Sequence, residues 1–190
     1  MPRKCQIKPS KIILVILSYM DIIACMKIGV ISDTHLQGYD NRLKKIAEGP
    51  FRDAEMIMHA GDIVEEGVLD VFGTKDVYAV RGNMDSVSLR NMLPEQIVVE
   101  VLGFRIGLMH GWGTPIAIEK RILSKFSDID CLVYGHTHSA VNKTEYGLLI
   151  FNPGSATGQT STGINSVGIL EIENNKIEGM IINLDKLWIV

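Results

Sequence analysis

The sequence lacks any excess of basic residues, because 19 lysines and arginines stand against 22 aspartates and glutamates and the formal net charge is −3. Domains that bind nucleic-acid phosphates usually carry a basic excess, so we expect no stable nucleic-acid binding. The 190 residues also contain no linker, internal repeat or low-complexity block. Their length suits one domain with a proper hydrophobic core.

Cysteines are also few. The three in the chain, Cys5, Cys25 and Cys131, form no CxxC pair and are odd in number. A disulfide framework or a thiolate metal site would need paired or clustered thiols, so we expect neither, and Cys131 is predicted to be a small core residue. The compartment is therefore expected to be reducing, and a metal site would have to use nitrogen and oxygen ligands.

Residues 1–25 have the outline of a signal peptide, since basic residues precede the apolar run 12–17. That run is too short for a comfortable transmembrane helix. Cys25 ends a segment that resembles a lipoprotein processing site. A core strand that begins at Lys27, however, would leave no linker between a lipid on Cys25 and the packed sheet. We predict an extension upstream of a true start at Met26 and a cytoplasmic protein. An exported or membrane-anchored protein and a docked extra helix are the alternatives.

Residues 26–190 are predicted to form one domain in which strands run into polar loops. Strands are predicted at 27–32, 56–59, 77–80, 96–102, 104–109, 131–134, 141–145, 148–151, 166–173 and 176–184, and helices at 41–48, 65–72 and 116–126. A loop rich in Gly, Ser and Thr at 157–165 is expected to be flexible. Two β-rich halves, each with a βα portion, predict an α/β (α+β) fold, a four-layer sandwich of two mixed β-sheets flanked by helices. Strand ends from both sheets would then meet along one edge.

Polar side chains of a common kind follow these strands. They comprise two carboxylates, one amide and four imidazoles: Asp33, His35, Asp62, Asn83, His110, His136 and His138. Such ligands suit manganese, iron, zinc or nickel, whereas calcium prefers oxygen. Seven are too many for one first-row ion but suffice for two ions that share a carboxylate and leave positions for water and substrate. Taken alone, the pair His136 and His138 is equally compatible with an exposed turn.

The motifs that carry these residues resemble, in order, those of the calcineurin-like metallophosphoesterase superfamily. They are Asp33-x-His35, Gly61-Asp62, Gly82-Asn83-x-Asp85, His110-Gly111 and Gly135-His136-Thr137-His138. The Asn-Pro-Gly-Ser segment at 152–155 is similar to the small bacterial and archaeal phosphodiesterase branch. The resemblance implies the metallophosphoesterase fold and a first ion held by Asp33, His35 and His138. It implies a second ion whose ligands are the amide and the two remaining histidines, Asn83, His110 and His136, with Asp62 bridging the two.

Charge indicates the chemistry of such a centre. Two divalent cations held by only two carboxylates leave it net positive, which favours an anionic phosphoryl group and lowers the pKa of a bridging water. We therefore predict a metal-dependent phosphodiesterase that hydrolyses small phosphodiesters or phosphomonoesters by attack of a metal-bridging hydroxide on phosphorus. Asp62, Asn83 and His110 would be its catalytic residues, and Mn²⁺ its expected metal, with Ni²⁺, Fe²⁺ or Zn²⁺ as alternatives.

A scaffold or partner-binding module is the alternative function. The retromer subunit of this fold is similar in length and is thought to act by binding, so residual metal binding alone would not make the chain an enzyme. All seven ligand types stand at matching positions here, which favours the enzyme. Exposed strand edges are compatible with formation of a homodimer.

Two departures from the family pattern bear on substrate handling. Met84 stands where many members have a histidine that is thought to protonate the leaving group, and a thioether has no proton to give. We therefore predict a preference for leaving groups that depart without strong acid help. The segment 152–155 is not followed by the usual Pro-Arg, so a basic phosphate clamp is not expected from that loop. Arg81 is then either a substitute clamp or a solvated surface residue.

Two further polar residues have no assigned ligand position. Asp85 is either an acceptor that orients a ligand histidine or a plain turn carboxylate. His59 lies inside an apolar strand and is predicted to be a hydrogen-bonded core residue.

Overall fold

The computed structural model describes residues 25–158 and 163–185. The strands of this part are β1 Met26–Ile31, β2 Met56–His59, β3 Asp76–Ala79, β4 Gln96–Val101, β5 Phe104–Met109, β6 Cys131–Tyr134, β7 Val141–Glu145, β8 Leu148–Asn152, β9 Ser166–Glu173 and β10 Lys176–Asn183. The helices are α1 Asn41–Glu48, a 3-10 helix Glu66–Phe72, α2 Val87–Met92 and α3 Ile118–Leu123. The interpretations of residues 1–24, and of residues 159–162 in the predicted flexible loop, lie outside the described residues.

The strands form two mixed five-stranded sheets, in the orders β10-β9-β1-β2-β3 and β4-β5-β6-β8-β7. In the first sheet β1, β2 and β3 are parallel, and Ile31, His59 and Ala79 are paired across their ends. In the second sheet β5 and β6 are parallel, with Met109 opposite Tyr134. Because parallel strands end at the same edge of a sheet, the loops after these five strands are placed together.

The two sheets pack face to face. A buried apolar cluster fills the space between them and includes Val30 and Met58 from the first sheet and Leu108, Val133 and Phe151 from the second. Such burial stabilises the fold by about 2 kcal/mol for each large side chain removed from water. Two further clusters cover the outer faces, one under α1 and the 3-10 helix and one under α3. The four-layer sandwich predicted from the sequence is confirmed.

The observed helices differ from the predicted ones in type, number and bounds. The predicted helix at 65–72 is a 3-10 helix, and α2 is absent from the prediction because Leu89 is its only fully buried side chain. The helix predicted at 116–126 begins only at Ile118, since Ala117 takes a left-handed conformation with φ 55°. Cys131 is buried in the core, as predicted. Over the described ranges, no helix has the length and apolar character needed to span a membrane.

Candidate metal centre

The polar residues predicted from the strand ends lie together at the edge where the five parallel strands stop. Each is carried by a loop that directly follows a strand: Asp33 and His35 after β1, Asp62 after β2, Asn83 after β3, His110 after β5, and His136 and His138 after β6. Backbone hydrogen bonds tie the loops to one another across the edge. The amide of Asp33 donates to the Gly61 carbonyl at 3.0 Å, and the amide of Gly135 donates to the His110 carbonyl at 3.1 Å.

Most of these residues adopt a left-handed backbone conformation. Positive φ angles of 47–70° occur at Asp33, His35, Asp62, His136 and His138. Residues other than glycine rarely adopt such angles, because Cβ then approaches the neighbouring carbonyl oxygen. The unfavourable conformation recurs at the residues with the candidate ligand atoms, which is where backbone strain is most often found.

One half of the centre consists of Asp33, His35 and His138. The His138 Nε2 lies 3.3 Å from Asp33 Oδ1, and the His35 Nε2 lies 3.9 Å from the same oxygen and 3.1 Å from His138 Nε2. Asp33 is fully buried, and within the described part of the chain its Oδ1 has no hydrogen-bond partner. A buried carboxylate oxygen without a donor is costly, and a cation among these three atoms would satisfy it. The residues therefore fit a metal ion.

The other half consists of Asn83, His110 and His136. The Asn83 Oδ1 lies 3.2 Å from His110 Nε2 and 3.0 Å from His136 Nδ1. The remaining ring nitrogens face backbone carbonyls, since His110 Nδ1 is 2.7 Å from the Ala60 oxygen and His136 Nε2 is 2.8 Å from the Gly113 oxygen. A carbonyl can only accept, so with an ion bound each ring would donate there and leave its other nitrogen, on the side of Asn83, unprotonated as a ligand. His110 thus offers Nε2 and His136 offers Nδ1.

Asp62 lies between the two halves. Its Oδ2 is 3.4 Å from His110 Nε2 and 3.8 Å from His35 Nε2, and its Oδ1 accepts a hydrogen bond of 2.7 Å from the Met84 amide. Burial raises the pKa of Asp62, but the hydrogen bond and charge of His110 outweigh it, and the pKa lies below its ordinary value. Conversely, burial lowers the pKa of His110, but Asp62 and Asp33 raise it above its ordinary value. One carboxylate therefore faces ligand atoms of both halves.

The Asn-Pro-Gly-Ser segment forms hydrogen bonds with the loops that carry the candidate ligands. The buried Asn152 donates through Nδ2 to the Gly135 carbonyl at 3.0 Å and to Thr137 Oγ1 at 3.1 Å. Ser155 Oγ donates to the Asp33 carbonyl at 2.8 Å. The sequence singles out this segment as a family motif but gives no sign of its role, which is to hold the loops that carry Asp33, His136 and His138.

Sequence reasoning missed Ser32, and it named Gly135 only as part of a motif, without its steric role in the centre. The hydroxyl of Ser32 donates to Asp33 Oδ2 at 2.6 Å, and the His136 amide donates to the same oxygen at 3.1 Å. Gly135 lies so close to this network that a Cβ there would overlap Ser32 Oγ and lie 2.8 Å from the Ala60 oxygen. Only glycine leaves room for the end of β6 to approach the end of β1.

Asp85 and Arg81 lie beside the centre rather than in it. Asp85 Oδ1 accepts from the Val64 amide at 2.8 Å and Oδ2 accepts from the Gly82 amide at 2.7 Å, so this carboxylate joins two loops. Among the described residues it accepts from no histidine, and its bond to Val64 gives it a wider structural role than that of a plain turn carboxylate. Arg81 donates to Glu95 Oε2 at 3.1 Å, which holds its guanidinium in an ion pair.

His59 is a core residue, as predicted. It is fully buried, and its Nε2 lies 3.2 Å from Thr34 Oγ1. Across the described residues, its Nδ1 has no hydrogen-bond partner. Burial lowers the pKa of His59 from 6.5 to about 3.

His59 should make the protein less stable in acid. The unfolded chain takes up a proton at His59 as the pH falls below about 6.5, whereas the folded chain does not until about pH 3, so stability falls across that window. Between about pH 7.5 and pH 5 we expect metal-free wild-type protein to lose about 2 kcal/mol more unfolding free energy than His59→Gln. Urea unfolding at both pH values measures this difference. Equal losses in the two proteins would contradict it.

Comparison with known proteins places the chain in a family. The sequence model of the calcineurin-like phosphoesterase superfamily domain matches residues 26–175. The chain is 34% identical to a probable metallophosphoesterase of Methanocaldococcus jannaschii, over 85% of this chain and 83% of that protein.

Two solved structures are similar in fold. One is described as a novel archaeal phosphodiesterase, with a TM-score of 0.64 and 29% identity over 83% of this chain and 100% of that chain. The other is Vps29 from Entamoeba histolytica in complex with zinc, with a TM-score of 0.59 and 26% identity over 83% of this chain and 99% of that chain. On the strength of the domain match, this chain belongs to the calcineurin-like phosphoesterase superfamily, a family of hydrolases that use divalent metals.

Proposed function

We propose that the protein is a two-metal phosphodiesterase that acts on small phosphate esters. The observation that carries this proposal is the position of Asp62, whose Oδ2 faces His110 Nε2 at 3.4 Å and His35 Nε2 at 3.8 Å. A carboxylate shared by two groups of ligands suits a pair of ions better than one. When bound, such ions supply a hydroxide nucleophile near neutral pH and positive charge that stabilises the phosphoryl oxygens.

The residues of the chain contribute orientation and charge. Asp33, His35 and His138 would hold one ion, and Asp62 would be shared. The second ion would be held by the amide and the remaining imidazoles: Asn83, His110 and His136. Because the Ala60 and Gly113 carbonyls fix two of these rings in one tautomer, the ligand nitrogens need no reorientation. The set of nitrogen and oxygen ligands suits Mn²⁺, with Ni²⁺, Fe²⁺ or Zn²⁺ as alternatives.

Preservation of the whole ligand set supports the enzyme over a partner-binding module. A protein that acts only through its surface does not need a buried carboxylate such as Asp33, which is unfavourable without a cation. A module of that kind also does not need histidine tautomers fixed by backbone carbonyls.

The proposal is tested by metal analysis together with an ester screen. We expect two ions per chain and hydrolysis of bis(4-nitrophenyl) phosphate with Mn²⁺ or Ni²⁺. His138→Gln should reduce the ion content to one per chain, because it removes a ligand from one half only. Absence of turnover with several divalent ions, or a single ion bound by both His136 and His138, would contradict the proposal.

Met84 should make the rate sensitive to the leaving group. Met84 is 57% exposed and its amide donates to Asp62 Oδ1, and its thioether stands where the family pattern has an acid. Without a proton donor, the rate should fall steeply as the leaving-group pKa rises in a series of substituted aryl phosphodiesters. Met84→His should flatten that dependence. A flat dependence in the wild-type protein would show that another group donates the proton.

A further inference from the structure

A cavity of about 170 Å³ lies beside the half of the centre that contains His110. His110 lines both the cavity and the candidate metal centre, and Gly82, which precedes Asn83, lines the cavity as well. The remaining walls come from the end of β5 and the segment around α2 and include Arg81, Arg90 and Trp112. A substrate held at the centre would therefore place one of its substituents at or near this cavity.

The cavity carries one uncompensated positive charge. The Arg81 guanidinium is paired with Glu95 at 3.1 Å and also donates to the Arg90 carbonyl at 3.2 Å. The guanidinium of Arg90, in contrast, forms no hydrogen bond or ion pair with any other residue that the structure describes. Two arginines and one glutamate give the cavity a net charge of +1. The paired N–H donors of the Arg90 guanidinium are suited to binding a phosphate or carboxylate.

The cavity also has an aromatic wall. Trp112 is 40% exposed, so part of its indole surface is open to solvent, and Lys125 Nζ lies 5.6 Å from the centroid of its ring. Lys125 adds a second positive charge near the cavity without being part of its lining. An indole surface favours stacking with a planar ring.

We propose that this cavity is a subsite for one ester substituent of the substrate, and that it selects a nucleoside whose sugar carries a second phosphate group. Trp112 would stack on the base, and Arg90 would bind the additional phosphate. The preferred substrates are then diesters of nucleotides rather than simple alkyl or aryl esters. This inference rests on the proposed phosphodiesterase function.

Fluorescence tests the subsite without any metal ion. The chain has two tryptophans, Trp112 and Trp188, so Trp188→Phe leaves Trp112 as the only reporter. In the presence of EDTA, thymidine 3′,5′-bisphosphate should quench Trp112 emission to saturation, and Arg90→Gln should raise its Kd about tenfold through loss of charge-assisted hydrogen bonds. Arg52→Gln is the matched control, since Arg52 is an exposed arginine that follows α1, and it should leave the Kd unchanged. Absence of quenching, or a Kd that Arg90→Gln does not alter, would overturn the proposal.

Turnover supplies the second test. With Mn²⁺ bound, the 5′-(4-nitrophenyl) phosphate ester of thymidine 3′-phosphate should have a kcat/KM about tenfold above that of the same ester of thymidine. Arg90→Gln should abolish this ratio, and Arg52→Gln should preserve it. A ratio of one in the wild-type protein would refute the subsite. A protein that binds the bisphosphate but hydrolyses no diester would refute the proposed function and leave the subsite in place.

Discussion

Asp62→Asn is expected to lower kcat/KM for an activated phosphodiester by about 1,000-fold, equivalent to about 4 kcal/mol of transition-state stabilisation. Asparagine has nearly the same shape and can still accept the hydrogen bond of the Met84 amide, so the loop should keep its conformation. What is lost is the negative charge that faces His110 on one side and His35 on the other. Both ions should therefore bind more weakly.

Steady-state kinetics and metal analysis of the purified variant measure the two effects. Asp53→Asn is the matched control, because Asp53 is an exposed aspartate in the turn before β2, and it should retain activity and metal. A variant that keeps both full metal content and full turnover would exclude Asp62 from the catalytic centre. Full metal content with no turnover would instead assign Asp62 to the chemical step alone.

The second large effect is expected at Gly135. Gly135→Ala should lower the unfolding free energy by about 3 kcal/mol, as overpacking of a well-packed site does, and should also weaken metal binding. Its Cβ would overlap Ser32 Oγ and lie 2.8 Å from the Ala60 oxygen and 3.0 Å from Asp33 Oδ2. The ends of β1 and β6 would have to separate, which carries His136 and His138 away from Asp33.

Two variants distinguish this steric effect from a general intolerance of alanine. Gly67→Ala is the control, because a Cβ at Gly67 meets no atom within 4 Å, and its stability should change by less than about 0.5 kcal/mol. Adding Ser32→Ala to Gly135→Ala removes the closest obstacle and should recover part of the lost stability. Urea unfolding measures all three. A Gly135→Ala protein as stable as wild type would refute the close approach of the two strands.

The strands and the ligand set could be predicted because each depends on local sequence. Buried strands are apolar runs of four to eight residues, and parallel strands place whatever follows them at one edge. Asp33 and His110 are 77 positions apart in the chain, yet both follow such runs, and the face-to-face packing of the two sheets brings their loops together. Two groups of predicted ligand atoms, those of Asp33 with His35 and His138 and those of Asp33 with Asp62 and His110, each lie within 4.8 Å of one another.

Other features depend on contacts that no local pattern encodes. Helix α2 has a single fully buried side chain, Leu89, so it shows no apolar repeat, and its one local sign is the N-cap Ser86, which accepts from the Leu89 amide. Asp85 follows the Gly-Asn motif, but its partners are amides on its own loop and on the loop after β2. The roles of Ser32 and Gly135 appear only when β1 and β6 meet.

The left-handed backbone at Asp33, His35, Asp62, His136 and His138 has a consequence for evolution. Each such residue costs about 1 kcal/mol or more relative to an ordinary conformation, and glycine would relieve that cost at any of them. Glycine has no ligand atom, however, so selection for stability alone would erode the centre one residue at a time. A member of this fold that had lost its catalytic role should therefore accumulate glycine or asparagine at these positions. This chain has a side chain with ligand atoms at all five positions.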